Sequence, residues 1–131
     1  MLRMAEMSPA IHDFEYLAGP FFDSDGVAQW LSIGVDDVEA LAVSGDLIGC
    51  QLENAQWVFP EWQFTDHGAV HPALLTVWGV LRGAADPWTC AAWMCTETYL
   101  FEGLSAVQAV AAGDIERVLA CARDDAAGWA G

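Results

Sequence analysis

The sequence predicts a mainly α fold: a helix-turn-helix/winged-helix-like unit with a small β-hairpin, followed by a second helical unit. Three observations predict it. Apolar residues recur at helical spacing, as in Leu74, Leu75, Trp78 and Leu81. Two short helical stretches are joined by the Gly-containing turn Ser32-Ile33-Gly34, the pattern of a helix-turn-helix. An extended pair, Leu47–Leu52 and Gln56–Phe59, flanks Glu53-Asn54-Ala55 and reads as a hairpin behind it. That order is the layout of a winged module. A hydrophobic fraction of 55% with seven Trp in 131 residues supplies a core. Chains of this length bury roughly two-thirds of their unfolded surface, enough to fold without staples.

Each element has a local reason. Ser8-Pro9 reads as a cap and first-turn Pro opening a short helix through Leu17, ended by Gly19-Pro20. Residues 1–23 form an N-terminal arm that packs onto the body through Phe14, Tyr16, Phe21 and Phe22. The helix-turn-helix-like unit spans 24–66. Ser24 is its expected cap, Val27, Ala28 and Leu31 its first buried stripe, and Val35–Ala42 its second helix, stopped by Gly45. A helical unit follows over 67–125. It has a helix at 72–82 and another opened by Asp86-Pro87 through Met94. A loop covers Thr96–Gly103. Ser105-Ala106-Val107-Gln108 is a capping box for a helix that stops at Gly113, and Asp114 caps a last helix through Ala122. Residues 126–131 are expected to fray.

Charge limits the partners. Nineteen Asp and Glu stand against Arg3, Arg82, Arg117 and Arg123 with no Lys, a net charge of −15. Affinity for nucleic acid comes largely from cations neutralising phosphates, so most of this surface repels it. The second helix of the helix-turn-helix, Val35–Ala42, displays Asp36, Asp37 and Glu39 and no Arg, Lys, Asn or Gln. DNA binding by the chain alone is therefore disfavoured; a basic partner, or none, fits better, and the acid can equally serve to keep an aromatic-rich chain in solution. No run of about 18 apolar residues exists to span a membrane. Met1–Glu6 lacks an apolar run and carries an early acid, so no secretory signal is expected and the cytoplasm is the expected compartment.

Catalytic and metal chemistry find little support. His67, His71, Cys90 and Cys95 are the best zinc set. Pro72 makes the two His straddle a loop, and five helical steps of about 100° turn the two thiols about 140° apart. Cys50, Cys90, Cys95 and Cys121 form no Cys-x-x-Cys pair, and free thiols are the expectation. No nucleophile elbow and no Gly-rich phosphate loop occurs. With nineteen acids, close pairs such as Asp36-Asp37 or Glu61 with Asp66 arise by chance. The chain is read as a non-enzyme with no cofactor and no metal.

Aromatic residues mark the other candidate. Trp57, Phe59, Trp62 and Phe64 form a strip suited to sealing a core, and Trp88 and Trp93 are read likewise. Tyr99-Leu100-Phe101 falls in a loop between helices, where an apolar cluster is hard to hide, and aromatic anchors are typical of interfaces.

Two stretches go beyond generic helix signals. One runs from Val27-Ala28-Gln29-Trp30-Leu31 through Gly45-Asp46-Leu47-Ile48-Gly49 to Trp57-Val58-Phe59-Pro60-Glu61-Trp62-Gln63-Phe64. The other joins Asp86-Pro87-Trp88 to Trp93, Leu100-Phe101-Glu102-Gly103, and Ala112-Gly113-Asp114-Ile115-Glu116-Arg117-Val118 through Ala122. Together, over residues 24–125, they resemble the MbcA/ParS/Xre antitoxin family of bacterial toxin–antitoxin systems. The resemblance implies a C-terminal part that binds and sterically blocks a RES-type, NAD-degrading toxin. It implies a toxin-facing element containing Leu100, Gly103, Gly113, Arg117 and the final helix to Arg123. This chain departs from the pattern in its acidic second helix and in Ser105-Ala106, where relatives often carry a Thr/Arg-Pro pair. Two other readings are a DNA-associated transcriptional regulator of phage or mobile-element origin, acting as a homo-oligomer, and an acidic DNA mimic that inhibits a nucleic-acid-binding protein.

Overall fold

The computed structural model describes residues 18–66 and 68–130, and these are mainly helical, with six α-helices and one three-stranded antiparallel sheet among them. It divides into two units, Met1–His71 and Pro72–Gly131. The helix expected from Ser8-Pro9 to Leu17 lies outside the described residues.

The first unit runs β1 (Phe21–Asp23), α1 (Ser24–Leu31), α2 (Val35–Ser44), β2 (Cys50–Gln51) and β3 (Trp57–Pro60). The hairpin predicted behind the helix-turn-helix is present as β2–β3. Phe21–Asp23, expected to be part of an arm, instead forms a third strand, in the order β1-β3-β2 with Phe22 opposite Phe59 and Cys50 opposite Val58. The extended backbone of Asp23 also makes it the cap of α1 in place of Ser24. Its Oδ1 accepts from the Gly26 N–H at 2.7 Å. Ser24 instead donates its hydroxyl to Glu39 of α2 at 3.1 Å. Ser32 ends α1 and Gly45 ends α2, both in the left-handed conformation with the main-chain N–H turned back onto the last helical carbonyls. Val27, Val38, Leu47 and Phe59 are fully buried between the helix pair and the sheet. Trp57 stacks on Phe59 at 6.2 Å and Phe22 tilts against Phe64 at 5.8 Å, so the aromatic strip seals this core.

The stretch after β3 is irregular and held by one buried side chain. Gln63 is fully buried. Its Oε1 accepts from the Ile48 N–H at 2.8 Å, and its Nε2 donates to the carbonyls of Ile48 at 2.7 Å and Pro60 at 3.0 Å. Nearby, Trp62 Nε1 donates to the Ala18 carbonyl at 2.9 Å and the Glu61 N–H to the Pro20 carbonyl at 3.0 Å. The unit closes after His71 rather than after residue 66. The reason is a bridge between Phe64 and Val70, with the His71 N–H donating to the Gln63 carbonyl at 2.9 Å.

The second unit holds α3 (Pro72–Arg82), α4 (Pro87–Cys95), α5 (Ala106–Ala111) and α6 (Ile115–Ala130). Helix α3 packs on α6, and α4 on α5. Leu74, Val77, Trp78, Leu81, Ala91, Met94, Val118 and Ala122 fill the core. The Ser105 capping box is complete, with the Gln108 N–H on Ser105 Oγ at 3.2 Å and the Ser105 N–H on Gln108 Oε1 at 2.9 Å. Asp86 stands at the cap of α4, and its carboxylate accepts from the Thr89 hydroxyl rather than from the main chain. Residues expected to fray instead continue α6 through Ala130. Ala126 is buried on the core side, and the Ala-rich end has high helix propensity.

Candidate functional site

The Thr96–Leu104 connection between α4 and α5 is a closed turn. Tyr99–Phe101 is a 3₁₀ turn capped by Thr98, whose Oγ1 accepts from the Leu100 N–H at 3.3 Å. Main-chain bonds run from Thr98 N–H to the Leu104 carbonyl at 3.1 Å and from Gly103 N–H to the Thr98 carbonyl at 2.9 Å. Phe101 points inward, 4% exposed, with its ring edge-on to Trp93 at 6.1 Å. Phe101 is therefore an anchor within the unit and offers no ring to a partner. Trp93 is itself fixed by Nε1–H donating to Asp125 of α6 at 2.6 Å. On this platform Tyr99 is 85% exposed, with Leu100 and Leu104 exposed beside it in sequence. Glu97 and Glu102 are exposed within the same turn.

The residues implied by the family resemblance fall into two places. Leu100 and Gly103 belong to this turn. Gly113 lies at the corner between α5 and α6, and Arg117 and Arg123 are exposed along α6. Gly103 and Gly113 both have positive φ, 89° and 94°, which an L side chain rarely adopts. Their evident part is to let the chain turn. Arg117 pairs with Asp114 one turn earlier at 3.1 Å. Six helical steps separate Arg117 from Arg123, placing them about 120° apart around α6. They do not form a single basic patch.

The first unit presents a different surface. Asp36, Asp37, Ala40 and Val43 are exposed on α2, Val43 at 77%. An open groove of about 420 Å³ lies between the start of α1, α2 and the hairpin, lined in part by Asp23, Asp25, Val35, Glu39, Gln56 and Trp57. No cation lines it. Sequence reasoning identified the acids of α2 but not the groove, whose walls come from segments far apart in the chain.

None of the four cysteines is joined in a disulfide. Burial, with Asp86 adding to it and Arg82 opposing, pushes the Cys90 thiol up to about 11, which keeps it protonated near neutral pH. Cys121 is also raised, by burial first and then by Asp125 and Asp124. Among the described residues no three His, Cys, Asp or Glu side chains gather within reach of one metal ion. His67 lies outside the described residues. Among the described residues no helix is long and apolar enough to cross a membrane.

No protein-family model and no curated protein matches this sequence. Among solved structures the chain is similar to one described as the NMR structure of Rv2175c. The TM-score is 0.72 at 19% identity, over 91% of this chain and 86% of that one. The likeness extends through both units and establishes the fold.

Proposed function

We propose that this protein acts by docking onto a protein partner, as an antitoxin-like molecule that sterically blocks a RES-type, NAD-degrading toxin. The observation that supports it is the exposed Tyr99-Leu100 pair on a closed turn, in a chain of net charge −15. Steric blocking needs a complementary surface and no reactive constellation of its own. Burying the exposed part of Tyr99 supplies about 2 kcal/mol, and that of Leu100, 46% exposed, about 1 kcal/mol. The acidic balance of the chain suits a toxin cleft more basic than itself. The resemblance noted in the sequence supports this reading, since it would put Leu100 and Gly103 in the toxin-facing element.

Co-expression with the RES-type toxin tests this reading. The two proteins are expected to co-purify, and cellular NAD, depleted by the toxin alone, is expected to be preserved. Replacing Tyr99 and Leu100 together by Ala should weaken capture at least about tenfold. A toxin that remains fully active and unbound beside the intact protein would sink the proposal.

The helix-turn-helix with its hairpin favours a second reading, a DNA-associated regulator acting as a homo-oligomer. Its difficulty is the absence of a cation from α2. A gel shift on the protein's own promoter with steep salt dependence would favour it.

A further inference from the structure

The turn between α4 and α5 is more than an exposed apolar spot. Its main chain is closed on itself by the Thr98–Leu104 and Gly103–Thr98 bonds, and its underside is pinned by Phe101 against Trp93 and by Trp93 against Asp125. Interactions that fix a binding segment before the encounter lower the ordering cost of association. Tyr99 and Leu100 are thus presented already in place, and two carboxylates, Glu97 and Glu102, share their turn.

We infer that this turn is a preformed docking knob for a protein surface offering an apolar hollow lipped by Lys or Arg. The inference rests on the reading that the chain works by binding protein, and it adds the chemistry of the partner's receiving site. Tyr99 and Leu100 enter the hollow, while Glu97 and Glu102 meet the cations at its edge. A second copy of this chain is a poor occupant, because it brings another −15 of charge. Nucleic acid is a poor one for the same reason, since no cation stands in the turn to meet a phosphate.

The test pans a random-peptide display library on the immobilised full-length protein and measures the affinity of the best peptides. Enriched peptides are expected to combine aromatic or aliphatic residues with Lys or Arg. Tyr99→Ala with Leu100→Ala should weaken them at least about tenfold. Glu97→Gln with Glu102→Gln should weaken them about three- to tenfold. The pair Glu53→Gln with Asp66→Asn removes the same charge from exposed positions elsewhere and should leave affinity unchanged. Circular dichroism checks that each variant keeps its helix content.

No enrichment, peptides without cations, equal losses from the two carboxylate pairs, or full affinity in the Tyr99/Leu100 variant would each overturn the inference. Its failure is separate from that of the toxin reading. If the expected peptides emerge but the RES-type toxin does not co-purify, the knob stands and the partner's identity falls.

Discussion

The two units are held together differently. In the first, side chains tie segments far apart in sequence: Gln63 to Ile48, Trp62 to Ala18, and Ser24 to Glu39. In the second, side-chain bonds such as Ser105 with Gln108 and Thr76 with Pro72 stay within one helical turn, while Trp93 with Asp125 reaches between helices. The cause is the backbone. Helices satisfy their own N–H and C=O groups, whereas the chain from Gly45 to His71 is mostly short strands and turns whose buried groups need outside partners. Polar side chains therefore fix the irregular stretch over the apolar core of the first unit, while the second unit relies on helix packing and local bonds.

The largest expected effect tests that contrast at Gln63. Replacing it with Leu keeps the volume but strands the Ile48 N–H and the Ile48 and Pro60 carbonyls in a site with no exposure. Leaving buried groups unpaired costs about 1–3 kcal/mol each, so a loss of about 3 kcal/mol is expected in urea unfolding. A loss below about 1 kcal/mol would mean that the irregular segment does not depend on this side chain, and the contrast between the units would collapse.

A smaller effect is expected at Ser105, where the second unit uses a local device. Ser105→Ala removes the acceptor for the Gln108 N–H and should cost about 1 kcal/mol. Ser105→Thr keeps the oxygen and should recover most of it. If Ala and Thr cost the same, the site is sensitive to packing around a side chain only 5% exposed, and the cap is not its main contribution.

This same local-versus-distant distinction governs what could be read in the sequence. The helix Pro72–Arg82 and the Ser105–Gln108 capping box depend on residues within a turn or two of each other, and both were legible. The strand Phe21–Asp23 was not, because its identity as a strand comes from pairing with Trp57–Pro60. Gln63 gave no signal, since a polar residue in an aromatic strip looks like a surface position until its three partners are located. At the candidate site the sequence marked Tyr99-Leu100-Phe101 as one apolar cluster. The 3₁₀ turn divides it, sending Phe101 inward to Trp93 and leaving Tyr99 outside. The support from Asp125 was invisible for the same reason as the strand.

The smallest expected stability effect carries the sharpest functional question. Arg117 pairs with Asp114 across one turn, with both side chains close to half exposed, 47% and 41%. Such surface pairs contribute about 0–1 kcal/mol and weaken with salt. Arg117→Ala should therefore shift unfolding by about 0.5 kcal/mol or less. Under the proposed function Arg117 would have a second role, facing the toxin, where Arg side chains often anchor an interface. The two roles separate cleanly. An unchanged unfolding midpoint with capture of the RES-type toxin weakened about tenfold would put Arg117 in the interface beside the Tyr99 turn. Unchanged capture would confine the docking surface to the turn and leave α6 as its support, acting through Asp125 on Trp93.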